Sequence, residues 1–187
     1  MTTKPVSSYI FIIYVIFFLS LANGYLMAIQ DQAASRQMVE QLFSGFSFAK
    51  NLTTFQLFLF ILANNAAKAF LVILFGFFFG IVPIFFVFTN AELIGVVIAV
   101  FGAREGFLKV VLSLLPHGIF EIPAVLIASG YGLWLGVRFY RRLRYKEPFM
   151  EAFWFSMRKY FTVVLPLLLL AAFIEAYITT FLVNKGI

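Results

Sequence analysis

The sequence predicts an all-α polytopic membrane protein, a single domain over residues 1–187 with about five transmembrane helices. Of its 187 residues, 63% are hydrophobic and 12% are charged, whereas soluble domains are roughly half apolar and a quarter charged. Mean hydropathy is +1.01. Apolar runs of the roughly 20 residues that cross a bilayer fill most of the chain. The lipid bilayer is therefore the first partner that the sequence predicts.

The transmembrane helices are predicted as five apolar segments, some of them kinked or broken. The first is an uncharged run of 21 residues after Lys4, a length that favours a transmembrane helix over a cleaved signal peptide. Arg104 and Glu105 interrupt residues 90–115, where a short crossing followed by a surface helix is favoured over a re-entrant hairpin. The predicted spans are residues 9–29, 66–88, 90–103, 117–137 and 160–183.

An interfacial region is predicted between the first two spans. Residues 30–50 combine charges with apolar residues at helical spacing, a pattern typical of a helix lying on the membrane surface. The apolar run 52–63 has 12 residues, too few to cross, so it is predicted to lie on the surface or to re-enter the membrane. The polar pair Asn64 and Asn65 follows, and Asn64 is predicted to cap the second span.

Four prolines are predicted to break or bound helices. Pro83 and Pro166 interrupt the second and last spans, and each removes a helical hydrogen bond. Pro116 suits the first turn of the fourth span. Pro123 leaves the carbonyl of Ile119 without its helical partner. Kinks or breaks are expected at all four positions.

Small residues spaced by four predict two helix-packing seams. One contains Gly76 and Gly80, and the other contains Ala128, Gly132 and Gly136. Small residues in this register allow the backbones of two membrane helices to approach closely. Close packing is therefore predicted at both seams, and a homodimer through one of them is possible.

An intramembrane polar site is predicted around the only histidine. His117 and Glu121 are four residues apart and share one helix face. Glu175 lies in another apolar segment, and ionisable residues in such segments are costly unless they face protein or water. Asn64 and Asn65 complete the set. Two interpretations stay open: a structural lock, or a functional site for proton handling, ion binding or partner recognition.

The sequence lacks the motifs of most enzyme classes and metal sites. The chain has no cysteine and one histidine, so it contains no thiolate metal site and no HExxH motif. Neither a Gly-x-Ser-x-Gly nor a Walker sequence occurs. No enzyme activity, cofactor or metal is predicted. A dyad of Ser113 or Ser129 with His117 is the weakest alternative, since nothing in the sequence orients either serine.

The net charge of +6 is interpreted as a topology signal and not as a nucleic-acid site. Residues 138–159 contain seven basic and two acidic residues, and such loops face the cytoplasm. With five crossings, this places the N-terminus in the cytoplasm and the C-terminus outside a cell membrane.

The sequence resembles the stage II sporulation protein M family (SpoIIM, a group of DUF95-like integral membrane proteins). The matching residues are Asn64, Asn65, Gly76, Gly80, Asn90, Gly95, the run 116–124, Gly130, Gly132, Gly136 and the run 175–179. Ala91 and Thr180 depart from the family pattern.

The resemblance implies a five-helix, non-enzymatic membrane scaffold that recruits partner proteins of the cell envelope, such as peptidoglycan hydrolases. The alternative is a transporter or channel component that uses His117, Glu121 and Glu175, because polar residues in broken helices often form ion or substrate paths.

Overall fold

The structure is a computed structural model that describes residues 5–45, 48 and 51–179, and only the backbone of Pro116 and His117. Within these residues the fold is all-α, which confirms the predicted class. The helices are α1 (Val6–Gln30), α2 (Gln32–Gly45), α3 (Thr54–Leu74), α4 (Ile81–Glu105), α5 (Phe107–Tyr145), α6 (Met150–Lys159) and α7 (Leu165–Phe173). A 3₁₀ turn, Phe75–Phe77, follows α3, and π-helical turns, Tyr160–Val164 and Ile174–Thr179, flank α7.

Five helical segments of the described chain are long and apolar enough to cross a membrane. The number agrees with the prediction, but several of the bounds differ from it. The segments are Val6–Gln30, Thr54–Phe77, Ile81–Glu105, Gly118–Tyr145 and Met150–Thr179.

The second crossing begins about 12 residues earlier than predicted, because Thr53 starts a helix. The Thr53 hydroxyl accepts a hydrogen bond from the backbone N–H of Gln56 at 3.3 Å, and the Gln56 side chain accepts one from the Thr53 N–H at 2.9 Å. This capping box fixes the first turn of α3. The predicted surface segment 52–63 is therefore mostly the start of α3. Asn64 lies in the middle of that helix, so its predicted capping role is wrong.

The predicted second span is divided by a tight turn. Phe79 and Gly80 both have left-handed backbones, with φ of 54° and 75°, and α4 begins at the next residue. Pro83 therefore lies in the first turn of α4, where proline is tolerated, and does not kink a continuous span. The third crossing includes the predicted range 90–103 but extends over all of α4, up to Gly106 with φ 97°.

Helix α5 is longer than the predicted fourth span at both ends. It begins at Phe107, so the backbone of Pro116 lies inside the helix and not in its first turn, and Pro123 also lies inside it. At its other end α5 continues through the arginines to Tyr145, and α6 starts at Met150. The predicted basic loop 138–159 is thus reduced to residues 146–149, because arginine and leucine favour helix.

Pro166 produces a π-helical turn within the last crossing. The N–H of Leu165 donates to the carbonyl of Tyr160, five residues earlier, in the turn that precedes the proline. The Tyr160 hydroxyl donates to the carbonyl of Ala66 at 3.0 Å, which ties this segment to α3. Residues 180–183 of the predicted span lie outside the described residues.

The bundle is organised around α5. In its crossing, 61% of the most apolar stretch is buried, against 22–28% in the other four. Helix α1 packs on α4 and α5, and the segment containing α7 packs on α3 and α5. Helix α2 is the predicted amphipathic helix: Val39 is buried, the Phe43 ring contacts Phe101, and Glu40 pairs with Arg104 of α4 at 3.2 Å.

Candidate functional site

A small cavity lies between α3 and α4, with α5 as its floor. Both helices pack on α5, but they make few contacts with each other. The cavity has a volume of about 100 Å³, and its polar lining consists of Asn65 and Lys68 from α3, Asn90 from α4 and Glu121 from α5. These four residues are called the polar groove below. Its apolar lining includes Phe17, Phe86, Ile94, Ile122 and Leu126.

The two predicted glycine seams meet where the α3–α4 turn packs on α5. A Cβ atom on Gly76 would lie 2.2 Å from the carbonyl oxygen of Gly132, and one on Gly136 would lie 2.1 Å from the nitrogen of Gly80. Ala128, on the same helix as Gly132, is fully buried. The backbones of the α3–α4 turn and α5 are therefore in direct contact.

These contacts show that Asn65 and Glu121 lie at the same level of the bundle. Gly76 contacts Gly132, and the next pair, four residues later on both segments, is also in contact, so α3 and α5 run in the same direction. Asn65 and Glu121 each precede the first glycine pair by 11 residues. At 1.5 Å per residue this is about 16 Å along each helix from the glycine contacts, so the two residues lie at the same level.

Two hydrogen bonds orient the groove amides. The Asn64 amide donates to the side-chain oxygen of Asn65 at 3.1 Å, and the Asn90 amide donates to the carbonyl of Phe86 at 2.7 Å. The Asn65 amide nitrogen and the Asn90 side-chain oxygen are the groups left for the cavity. Asn65 and Glu121 are half-buried, whereas Lys68 and Asn90 are exposed. The groove thus opens on the outer surface of the bundle.

The backbone of Lys68 lies far from both ends of its membrane crossing, Thr54–Phe77. It lies 14 residues after Thr54 and nine before Phe77, which is about 21 Å and about 14 Å at 1.5 Å per residue. The predicted span 66–88 would put Lys68 near its start, within reach of the headgroups, but α3 begins at Thr54. An exposed charge at this depth is costly in lipid and needs a partner.

The ion pairs of the described residues lie at the two ends of the bundle, and none includes Lys68. At one end, Arg104 pairs with Glu40 and Lys109 with Glu105. At the other, Arg141 and Arg138 bind Glu147, with the Arg141 Nε at 2.7 Å from the carboxylate. The hydrogen bond from Arg141 is the main reason that the pKa of Glu147 lies below its ordinary value.

The structure does not bring all the predicted polar residues together. Glu175 is half-buried on the last π-helical turn, which packs on α3 and α5, and it does not line the groove. Asn64 reaches the groove only through Asn65. His117 precedes Glu121 by one helical turn, but its side chain lies outside the described part of the structure.

Sequence reasoning missed two polar features of the interior. Asn90 lines the groove, although the sequence marked it only as part of the family pattern. Glu92 of α4 accepts a hydrogen bond from Asn23 of α1 at 2.5 Å, beside the position where a Cβ on Gly24 would contact the Glu92 carbonyl. The signal available in the sequence was the presence of polar residues within two apolar runs, residues 9–29 and 90–103.

The structure bears on the Ser129–His117 dyad, whereas the Ser113–His117 dyad is not tested, because the His117 side chain lies outside the described part of the structure. Ser129 is fully buried and lies 12 residues from His117, about 18 Å along α5. The Ser113 hydroxyl donates to the carbonyl of Val110 at 2.8 Å. Among the described residues, no three histidine, aspartate or glutamate side chains form a group that could hold a metal ion.

Comparison with known proteins identifies the family. The profile of the stage II sporulation protein M family matches residues 10–180. An uncharacterized protein of Methanocaldococcus jannaschii is 34% identical over 122 residues, which cover 64% of this chain and 68% of that protein. No solved structure gives a significant match. The chain is a multi-pass membrane protein that belongs to the stage II sporulation protein M family.

Proposed function

We propose that this chain is a non-enzymatic membrane scaffold that holds partner proteins of the membrane or cell envelope. The observation that carries the proposal is the polar groove, which exposes Lys68 and Asn90 on a surface that would otherwise face lipid. Such groups are costly against lipid, and a protein partner in the membrane would cover them. The family name associates the chain with sporulation. By analogy with the sporulation member of the family, the recruited partners include peptidoglycan hydrolases.

The size of the groove favours a scaffold over a substrate site. Ligand pockets measure roughly 300–1,000 Å³, whereas this cavity measures about 100 Å³. One water occupies about 30 Å³ in the liquid, so the space suits about three waters or one polar side-chain end. A small organic substrate does not fit without rearrangement of α3 or α4.

Backbone contacts make such a rearrangement costly. The two glycine pairs join the α3–α4 turn to α5. In addition, a Cβ on Gly95 of α4 would lie 2.1 Å from the carbonyl oxygen of Leu21 on α1, and a Cβ on Gly130 of α5 would lie 2.5 Å from the side chain of Ile10 on α1. Helices packed this closely cannot shift by small steps without losing contact. A rigid bundle that presents a fixed surface is what a scaffold requires.

A transporter or channel component is the second candidate function. The observation in its favour is that Glu121, Asn65 and Asn90 line one cavity in the membrane region, because ion paths use such groups. The test is proton or cation flux in liposomes containing the purified chain. Flux above that of empty liposomes, and lost in Glu121→Gln, would favour transport; flux equal to that of empty liposomes supports the scaffold.

Crosslinking in native membranes tests the scaffold. The chain would be crosslinked in intact cells, purified under denaturing conditions, and its adducts identified by mass spectrometry. We expect one membrane or envelope protein in a fixed ratio to the chain. Recovery of self-adducts alone would contradict the proposal and would support a homodimer without other partners.

The same proposal includes an orientation in the cell membrane. Arg138, Arg141, Lys146 and the N-terminus are assigned to the cytoplasm and the C-terminus to the outside, because basic residues remain in the cytoplasm. The chain lacks cysteine, so single cysteines can report the topology. An impermeant thiol reagent added to intact cells should label Ser44→Cys on α2 and not Lys146→Cys; the reverse pattern would overturn the orientation.

A further inference from the structure

We propose that the polar groove is a docking site for a transmembrane helix of a partner protein that carries one aspartate or glutamate within its apolar span. The partner carboxylate binds the Lys68 ammonium and the Asn65 amide, and its helix lies over the groove between α3 and α4. This inference rests on the proposed scaffold function and specifies the chemistry of the partner.

The shape of the groove fits a side chain and not a whole helix. Helices α3 and α4 diverge from the turn at Gly76 and Gly80, and α5 closes the space between them from below. The volume of about 100 Å³ matches a carboxymethyl or carboxyethyl group of a few heavy atoms, given about 30 Å³ for each water-sized group. The partner helix would therefore lie on the exposed edges of α3 and α4 and insert one side chain into the groove.

The groups at the mouth select for an acid. The exposed cation is Lys68, and the nearby amide nitrogen of Asn65 is a second donor, since its oxygen already accepts from Asn64. Two donors, one of them charged, form strong hydrogen bonds to a carboxylate. A basic side chain would instead meet a like charge at Lys68.

The surroundings of the mouth require an apolar partner. Leu71, three residues after Lys68 on α3, is 43% exposed, and Phe85, next to the lining residue Phe86 on α4, is 65% exposed. The backbone of Lys68 is about 14 Å from the nearer end of its crossing by the residue spacing, so a lipid headgroup meets the ammonium only where the side chain extends toward the membrane surface. An anionic group at this depth must be carried there by an apolar helix.

A second copy of this chain does not offer the required acid. The carboxylates that lie more than two residues inside the described crossings are Glu92, Glu121 and Glu175, and all three are half-buried in their own bundle. The exposed acids lie on α2 or at the ends of helices. The charge pattern therefore favours a different protein over a homodimer at this surface.

Glu121 is the internal competitor of the partner carboxylate. It lines the same cavity as Lys68 but projects from α5, the floor of the groove. Two carboxylates near one ammonium repel each other, and the pair is relieved when one of them is neutral. Glu121→Gln should therefore strengthen binding of an acidic helix, whereas Lys68→Gln should weaken it.

The test uses designed transmembrane peptides, so that it does not depend on a native partner. The full chain, labelled at a single introduced cysteine, is placed in phosphatidylcholine vesicles with a fluorescent 22-residue polyleucine helix that bears one central Glu, Gln, Lys or Leu. Energy transfer measures association. The Glu peptide should associate about three- to thirtyfold more strongly than the Leu peptide, the range found for polar contacts between membrane helices.

Variants assign the preference to the groove. Lys68→Gln should abolish it, Lys68→Glu should transfer it to the Lys peptide, and Glu121→Gln should increase it. Lys109→Gln is the matched control, because Lys109 is an exposed lysine near the end of the bundle that pairs with Glu105, and it should change nothing. Equal association of the four peptides, or a Glu preference that survives Lys68→Gln in a variant with wild-type helicity, would overturn the docking site. A failed peptide assay together with a native partner crosslinked elsewhere would refute this site alone and leave the scaffold standing.

Discussion

Replacement of Gly136 by alanine should strongly destabilise the bundle. The new Cβ would lie 2.1 Å from the nitrogen of Gly80, 2.5 Å from the carbonyl carbon of Phe79 and 2.7 Å from the carbonyl oxygen of Gly76. All three are backbone atoms. Ordinary contact begins at 3.4 Å, so the turn and α5 must separate by about 1.3 Å.

The magnitude follows from the rigidity of that turn. Phe79 and Gly80 already have φ of 54° and 75°, so the chain has little freedom to move aside. Overpacking typically costs about 1–3 kcal/mol, and a contact with backbone on three sides belongs at the upper end. A loss of about 3 kcal/mol lowers the ratio of folded to unfolded protein about a hundredfold.

The assay is equilibrium unfolding in mixed micelles with an increasing fraction of sodium dodecyl sulfate. Trp134 is 8% exposed and packs near Phe155, so its fluorescence reports loss of the core. Gly118→Ala is the matched control on the same helix, because among the described residues its Cβ would meet only the Ile122 side chain, at 3.5 Å. If Gly136→Ala unfolds within about 0.5 kcal/mol of the wild type, the size expected of a neutral surface change, the proposed backbone contact is wrong.

Three further variants test other contacts in the same unfolding assay. Thr53→Ala should lower the free energy of unfolding by about 1 kcal/mol, because it removes the helix cap of α3. Tyr160→Phe should cost about 0.5–1.5 kcal/mol, because it removes the hydrogen bond to Ala66. The lowered pKa of Glu147, caused mainly by the hydrogen bond from Arg141, means that its stabilisation is complete above about pH 5 and is lost as pH falls through the lowered pKa. Glu147→Gln should remove that part of the acid sensitivity.

For each of these variants, one outcome would contradict the structure. Thr53→Ser keeps a capping hydroxyl, so it should behave like the wild type, and equal losses from serine and alanine would argue against the cap. An unchanged Tyr160→Phe variant would argue against the contact with α3. An acid transition of the same size in Glu147→Gln and wild type would show that Glu147 does not contribute to it.

The class of fold could be predicted from composition, but the helix boundaries could not. Five crossings follow from the amount of apolar sequence, and the capping box at Thr53 was present in the sequence as a Thr-x-x-Gln pattern. The apolar run 52–63 has 12 residues, which is too short to cross a membrane, so the sequence does not indicate that the helix continues through Asn64. An asparagine pair inside a membrane helix is tolerated when it faces protein, and Asn65 faces the groove.

The glycine seams could be predicted as close contacts, but not that they contact each other. Spacing by four at Gly76 and at Gly132 marks each face as small, yet which faces meet depends on the turn at Gly80. The polar groove could not be predicted from the sequence for the same reason. Lys68 becomes a deep, exposed cation only when the α3 boundary is known, and Asn90 meets it only because α4 begins after that turn.

Site-specific photo-crosslinking in native membranes tests the central claim most directly. A photoreactive residue at Leu71, which follows the groove residue Lys68 by about one turn of α3, is compared with one at Phe11 of α1, which is 69% exposed and lies on a different helix from Lys68. We expect a protein adduct at Leu71, absent at Phe11 and lost in Lys68→Gln, whose captured segment is a transmembrane helix containing an acidic residue. Equal adducts at both positions, or an adduct at Leu71 that persists in Lys68→Gln, would contradict partner docking at the groove.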